Sequence, residues 1–272
     1  LMYVSRALGQ FDYIIAHGLY SWVPPRTQDK LLAICHTNLT PKGVAYVSYN
    51  TFPGCRLRHA VREMTLFHLR DLTDPSLKIS EARAFLEFLA DAQPSVDDYQ
   101  AFLRAEVRQA LEHSDGGLFH DDLAEINEPL YFHQFVEHAK RHGLRFLAEA
   151  NYFEMQDQIY PPHVVDTLRS LSRDDVILRE QYLDFLKFRR FRQTLLCHQS
   201  VQLEYSPRPA RIRDFYISSA ARPVSDNPNI TSASAVEQFR GPKGAAMATD
   251  HSLAKAAMLC LGDVWPLALH FD

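Results

Sequence analysis

The sequence predicts an α/β fold, and three observations carry that prediction. Two short apolar runs, residues 13–16 and 44–47, flank a helical pattern, the mark of parallel strands joined by a crossover helix. The stretch after Gly54 then carries helical periodicity alone for about sixty residues. From Pro129 the alternation of helix and strand returns. A run apolar on both faces belongs in the middle of a covered sheet, so residues 13–16 are expected there.

Residues 1–10 read as the tail of a helix with Gly9 near its end, feeding a strand from Phe11. Pro24 and Pro25 suit the first turn of a helix whose Leu31, Leu32, Cys35 and Leu39 recur at three- and four-residue spacing. Thr40-Pro41-Lys42-Gly43 is turn chemistry leading into a second strand over 44–49. The helical block begins with 56–72, where Leu57, Val61 and Met64 share a side. Ser80 is the expected cap of a helix striped by Ala82, Phe85, Leu86 and Leu89. Ser95 with Asp98 forms a capping box before Val96, Tyr99, Leu103 and Val107, and Asp115-Gly116-Gly117 is expected to end the block.

Pro129 opens a helix that turns Phe132, Phe135, Val136 and Ala139 inward and stops at Gly143, before a strand over 144–150. Helices follow over 162–171 and from the expected cap Ser172, the second with Ile177, Gln181, Phe185 and Leu186 on one side. Residues 192–198 are the next strand, completing one mixed sheet. Prolines 207, 209, 223 and 228 and the small-residue stretch 231–235 place a domain boundary at 207. Beyond it, strands are expected at 215–217 and 245–249, a turn at 241–244 and a helix over 253–261.

At 272 residues and 46% hydrophobic, the chain can bury a core without disulfide staples. A net charge of -4 argues against a nucleic-acid partner. Cys35, Cys55, Cys197 and Cys260 form no Cys-x-x-Cys, so they read as reduced, buried thiols of a cytoplasmic protein, not as a zinc ribbon or disulfide framework. No run approaches the roughly 20 apolar residues of a membrane span, and no export signal opens the chain. The first residues lie close to a strand and the last in the apolar segment 265–271, so both ends are expected to cut through structure.

Ligands of open α/β sheets sit beyond the carboxyl ends of the strands, which directs attention to residues 17–22 and 48–54. In the first loop, Gly18 lets backbone approach a ligand, with His17, Tyr20 and Trp22 beside it; the bland reading is a turn that covers the sheet end. In the second, Ser48, Tyr49, Asn50 and Thr51 offer an amide and hydroxyls either to a ligand or to a satisfied loop network. His138 and His142, with Glu137 before the first, stand four apart, a metal-ligand spacing, but the order is not His-Glu-x-x-His, Lys140 and Arg141 suggest a solvated face, and no metal is expected. The basic run KFRRFR, residues 187–192, reads as cations at a helix C-terminus. The ten glycines contain no Gly-x-Gly-x-x-Gly, no P-loop and no Gly-x-Ser-x-Gly.

At these residues the sequence resembles bacterial class I S-adenosylmethionine-dependent methyltransferases that carry a methyltransferase regulatory domain. FDYIIAHGLYSWVP is similar to their fourth strand and its loop, and LTPKGVAYVSYNTFPG to their fifth. EPLYFHQFVEHAKRHGLRFLAEA and EQYLDFLKFRRFRQTLLCH resemble the regulatory segments, and FRGPKGAAMATDHSLAKAAMLCLGDVWP the C-terminal module. Rickettsial outer-membrane-protein lysine methyltransferases are similar in architecture. The resemblance implies the C-terminal half of a Rossmann-like sheet, with the family's first strand, glycine loop and ribose-binding acid falling before Leu1. It divides the chain into later Rossmann-like strands (1–55), a helical insertion or regulatory region (56–128), resumed α/β structure (129–206) and part of a small α+β module (207–272).

The resemblance further implies S-adenosylmethionine as cofactor of the intact parent and a protein or small-molecule methyl acceptor, a protein lysine among the acceptors. His17, Tyr20 and Asn50 are then the catalytic candidates, Gly18 and Trp22 the cofactor-side ones, and Tyr49 and Thr51 the substrate-side ones. Tyr20, Trp22 and Tyr49 are expected to form an aromatic surface for a cationic donor or acceptor. His17 is the residue type there suited to taking a proton from an amine, although water would also serve. The alternative is a non-catalytic binding module in which the helices and the C-terminal segment recognise a partner.

Overall fold

The computed structural model describes residues 1–92, 97–205, 208–242 and 244–272. Its chain forms two compact units, Leu1–Leu203 and Glu204–Asp272. The first is built on a four-stranded mixed sheet. Strand β1 (Phe11–Ala16) runs parallel to β2 (Leu39–Asn50), and helix α1 (Pro25–Asn38) makes the crossover between them. Strand β4 (Phe191–His198) lies between β2 and β3 (Leu144–Glu149), antiparallel to both. The fold class is therefore the α/β one that the alternation predicts.

Two expectations about these strands need correction. The expected turn at 40–43 is part of β2, because the chain stays extended and a register irregularity between Phe11 and Tyr13 absorbs Pro41 and Gly43. Strand β1 is not in the middle of a covered sheet. It has a single hydrogen-bonded neighbour, and Tyr13 and Ile15 are 75% and 74% exposed. Its opposite face, Ile14 and Ala16, packs on the core with Ala45, Val47 and Tyr49 of β2 and Leu31, Leu32 and Cys35 of α1. Apolarity on both faces identified the strand but not what covers it.

Among the described residues between β2 and β3 stand the helices α2 (Cys55–His68), α3 (Pro75–Asp91), α4 (Asp98–Leu111), α5 (Asp115–Asp121) and α6 (Phe132–Arg141). Val61, Ala82, Leu86, Val107 and Leu118 close a separate small core among the first four. Their ends differ from expectation wherever a stronger cap stands nearby. Asp74 caps α3 by accepting the Leu77 N–H at 2.8 Å, with Pro75 in the first turn, while Ser80 lies inside the helix and donates to the Leu77 carbonyl at 3.0 Å. Asp97 caps α4 through the Gln100 N–H; the expected cap Ser95, and Val96, lie outside the described residues. Asp115-Gly116-Gly117 begins α5, not ends α4, because Ser114 accepts the Gly117 N–H at 3.2 Å.

Helix α6 has a strongly one-sided apolar pattern and buries Phe132, Phe135 and Ala139 against the sheet. Helices α7 (Pro162–Ser172) and α8 (Val176–Lys187) follow β3. Ser172 closes α7, and Asp175 caps α8 by accepting from Ile177 and Leu178, because Arg173 and Asp174 turn the chain with positive φ. Phe185 and Leu186 of α8 are each 45% exposed, so the inward side is carried by Glu180, Gln181, Leu183 and Asp184.

That polar inward side explains the basic run 187–192. Arg192 is fully buried in β4 and bonded to Glu149 at 2.6 Å, Asp184 at 2.8 Å and Glu180 at 3.3 Å, with its guanidinium 3.8 Å from the Phe132 ring centre. Arg189 adds a contact to Asp184 at 3.1 Å. Burial opposes the Arg192 charge, but Glu149 and Asp184 outweigh it and hold its pKa above the ordinary guanidinium value. Burial pushes Glu180 and Asp184 up despite Arg192. These arginines are core ion-pair partners, not merely cations on a helix end.

In the second unit, β6 (Arg222–Pro223), β7 (Glu237–Arg240) and β8 (Ala246–Thr249) form an antiparallel sheet, and β5 (Tyr216–Ile217) pairs with β9 (Leu269–His270). Helix α9 (Ser252–Val264) carries Lys255, whose buried ammonium donates to the Ser232 and Ala235 carbonyls at 2.6 and 2.9 Å. Phe239 is its buried aromatic anchor. The expected turn at 241–244 includes Lys243, which lies outside the described residues, as does Pro207. Cys35, Cys55 and Cys197 are buried and free, but Cys260 is exposed, because it lies on an outward position of α9.

Candidate functional site

The loops after β1 and β2 meet, as the strand-end rule requires of parallel neighbours. Gly18, with φ of +61°, donates its N–H to Ser48 Oγ at 2.7 Å, and Asn50 donates its N–H to Ser21 Oγ at 2.9 Å. His17 Nδ1 lies 3.0 Å from the Tyr46 hydroxyl and 3.2 Å from Ser48 Oγ. His17 and Gly18 are exposed, Asn50 and Trp22 half-buried. Burial raises the Tyr46 phenol, whose neighbour Ser48 works the other way. Ser48 thus organises both His17 and Gly18, a role its sequence position suggested only as one hydroxyl among several.

The second loop is stitched to the segment that enters α6. Asn50 Nδ2 donates to Asn127 Oδ1 at 3.0 Å, Thr51 Oγ1 donates to the Leu130 carbonyl at 2.7 Å, and Thr51 and Leu130 form a parallel bridge. Asn127 had no sequence signal, being a lone amide far along the chain. Pro53 follows a cis peptide, and Gly54 packs its bare Cα against the Phe188 and Arg189 backbone. A Cβ there has nowhere to go, since the obstruction is main chain. Gly54→Ala is expected to cost about 1–3 kcal/mol in urea unfolding and to displace residues 48–54.

The expected aromatic surface does not form. Tyr20 and Tyr49 are each 1% exposed, within the main core. Phe135 stacks on Tyr49 at 4.1 Å between ring centres and meets Tyr20 edge-on at 5.1 Å. Thr51 is fully buried with its hydroxyl spent on Leu130. Only Trp22 reaches outward, and it leans on His120 at 4.6 Å. Large amphipathic rings beside a strand end are drawn into the nearest core when a helix supplies the matching face, as α6 does.

Nor do His138 of α6 and His142, its C-cap residue, form a solvated face. His138 is buried; its Nε2 lies 2.7 Å from Asp29 Oδ1, and His142 Nε2 lies 3.1 Å from the same oxygen. The carboxylate only accepts, so His138 carries its proton on Nε2 and its Nδ1 accepts from the Tyr20 hydroxyl at 2.6 Å. Burial lowers the His138 pKa despite Asp29, while the two imidazoles hold Asp29 below the usual carboxylate range. Burial and then Asp29 push Tyr20 above the ordinary phenol value.

On the sheet face opposite α1 and α6, Tyr13, Ile15, Val44, Tyr46, Leu147 and Leu195 line an apolar groove of about 530 Å³ that ends at His17. Among the described residues, no helix is long and apolar enough to cross a membrane.

Residues 114–198, which span α5 to β4, match the family described as the predicted methyltransferase regulatory domain. Protein RP789 of Rickettsia prowazekii is 38% identical over 215 residues, covering 79% of this chain and 38% of its own length. Protein RP028 of the same organism is 37% identical over 145 residues, covering 53% of this chain and 58% of its own length. The solved structure of PKMT2 from Rickettsia typhi superposes on 99% of this chain and 52% of its own, with a TM-score of 0.82 and 32% identity. Its complex with AdoHcy gives a TM-score of 0.81. The chain spans less than two thirds of the length of each of these proteins. Residues 114–198 are thus similar to a methyltransferase regulatory domain, and the fold of nearly the whole chain is similar to that of part of PKMT2.

Proposed function

We propose that this chain is the acceptor-side and regulatory part of an S-adenosylmethionine-dependent methyltransferase, with a protein lysine amine as acceptor. The observation that carries this reading is the similarity of its whole length to PKMT2, a protein solved with AdoHcy, the product that S-adenosylmethionine leaves after methyl transfer. When bound, the cofactor supplies a sulfonium methyl: the N–C bond forms as the C–S bond breaks, and the electron pair stays on sulfur. The fit to the residues present lies in Gly18, where nothing stands within 4 Å of an added Cβ and backbone is open to a ligand at the end of β1.

The chain's own groups then position and deprotonate. With His17 Nδ1–H donated to Tyr46 or Ser48, its Nε2 presents a lone pair to solvent and takes the proton that the attacking amine must lose. Asn50, held by Asn127, orients the acceptor, and Trp22 borders the cofactor side. Tyr20, Tyr49 and Thr51 act from the core by holding the two loops at fixed separation, which matters because an in-line displacement depends chiefly on alignment.

In the full-length protein, His17→Gln is expected to lower turnover about 100-fold, the smaller end of what a positioned base contributes. Asn50→Ala is expected to raise KM for the acceptor as well. Turnover within twofold of the parent for both variants would remove these roles.

A second reading, a non-catalytic partner-binding module, is favoured by the open apolar sheet face. Calorimetric titration of the full-length protein with AdoHcy separates the two. One-to-one binding supports methyl transfer, and absence of binding leaves the module.

A further inference from the structure

Asp29 on α1, His138 on α6 and His142 at the C-cap of α6 each offer one ligand atom, and the three atoms lie within 4.8 Å of one another. His142 follows His138 by four residues, just past the end of α6, and both direct Nε2 at the same carboxylate oxygen, at 2.7 and 3.1 Å. Ligands of a tetrahedral ion, each about 2.0–2.1 Å from it, stand about 3.4 Å apart. To take an ion, Asp29 Oδ1 moves away from the His138 and His142 Nε2 atoms by about 0.7 and 0.3 Å.

Three further features distinguish it from an ordinary ion pair. The Asp29 side chain is 58% exposed and that of His142 21%, so an ion can enter and a fourth position faces water. His138 is held from behind by Tyr20, the outer partner that fixes tautomer and ring orientation in imidazole sites. Two imidazoles and a carboxylate suit zinc and its neighbours, while magnesium and calcium prefer oxygen alone.

We propose that Asp29, His138 and His142 bind a divalent transition cation, with Zn²⁺ its representative, tying the crossover helix to the regulatory domain. The ion takes the place of the Nε2 protons. These move to Nδ1, and at His138 the Tyr20 oxygen then accepts. The site makes no use of the methyl-transfer reading, and because Tyr20 also belongs to the loop after β1, occupancy fixes that loop.

The test is calorimetric titration of the metal-stripped chain with zinc chloride, with visible absorption of Co²⁺ as a report of tetrahedral ligation. One ion per chain is expected, with a rise in thermal midpoint on zinc addition. Asp29→Asn and His142→Ala should each weaken binding about 100-fold and abolish the thermal shift, and Tyr20→Phe should weaken it about 10-fold. Since Asp29 and His142 are partly exposed, their variants should keep the metal-free thermal midpoint of the parent; His142→Gln serves if one does not. Absence of zinc binding, or binding equal to the parent's in both the Asp29 and His142 variants, overturns the proposal.

Discussion

Arg192→Met is expected to destabilise the first unit by about 3–5 kcal/mol in denaturant unfolding, the cost of leaving buried carboxylates without their counter-charge. Glu149 from β3, Glu180 and Asp184 from α8 and the Phe132 ring from α6 all converge on this one guanidinium. The loss should resist salt, because screening acts on exposed charges and Arg192 is fully buried. Glu149 Oε1 also accepts from Thr194 at 2.8 Å, and Thr194 meets the Tyr49 hydroxyl at 3.1 Å, so the network reaches the strand that carries the candidate site. Combining Arg192→Met with Glu149→Leu and Asp184→Leu should return much of the lost stability, since apolar replacement of a whole buried ion cluster is often neutral. A loss below about 1 kcal/mol for Arg192→Met would mean that Arg189 alone satisfies the acids.

Phe135→Ala is expected to cost a similar amount, about 3–5 kcal/mol, through lost burial and the cavity left behind. Phe135 is fully buried and is the ring on which both Tyr49 and Tyr20 rest. Its removal should be felt at two distances. Unfolding experiments read the stability, and exchange of the Tyr20 hydroxyl proton with solvent should quicken as its bond to His138 loosens. Phe135→Leu should recover more than half of the stability, because it refills most of the volume. Equal costs for the two variants would show that ring stacking, not volume, is what α6 contributes.

Much of the fold was legible in the residues because it depends on local pattern. The apolar runs near Ile14 and Val47 with Leu31, Leu32 and Cys35 between them specify a strand–helix–strand unit, and that unit is present as β1, α1 and β2. The meeting of the two loops was legible to the same depth, because parallel strands put their following loops on one edge, and Gly18 bonds Ser48 while Asn50 bonds Ser21. Helix starts were read less well, since Ser80 and Ser172 resemble caps but Asp74 and Asp175 outcompete them through their backbone acceptor geometry.

Periodicity reports how a side chain alternates, not what it meets, and the tertiary structure decided the rest. It inserted β4 between β2 and β3, so that the order in the sheet departs from the order in the chain. It drew Tyr20 and Tyr49 into the core because α6 brought Phe135 to them. It turned Arg189 and Arg192 of the basic run inward, where Glu149, Glu180 and Asp184 meet Arg192. It also set Asp29 against His138, 109 residues further on, a pairing that no local spacing encodes. Contacts between distant segments depend on how elements pack, and packing is settled only when every face finds its partner at once.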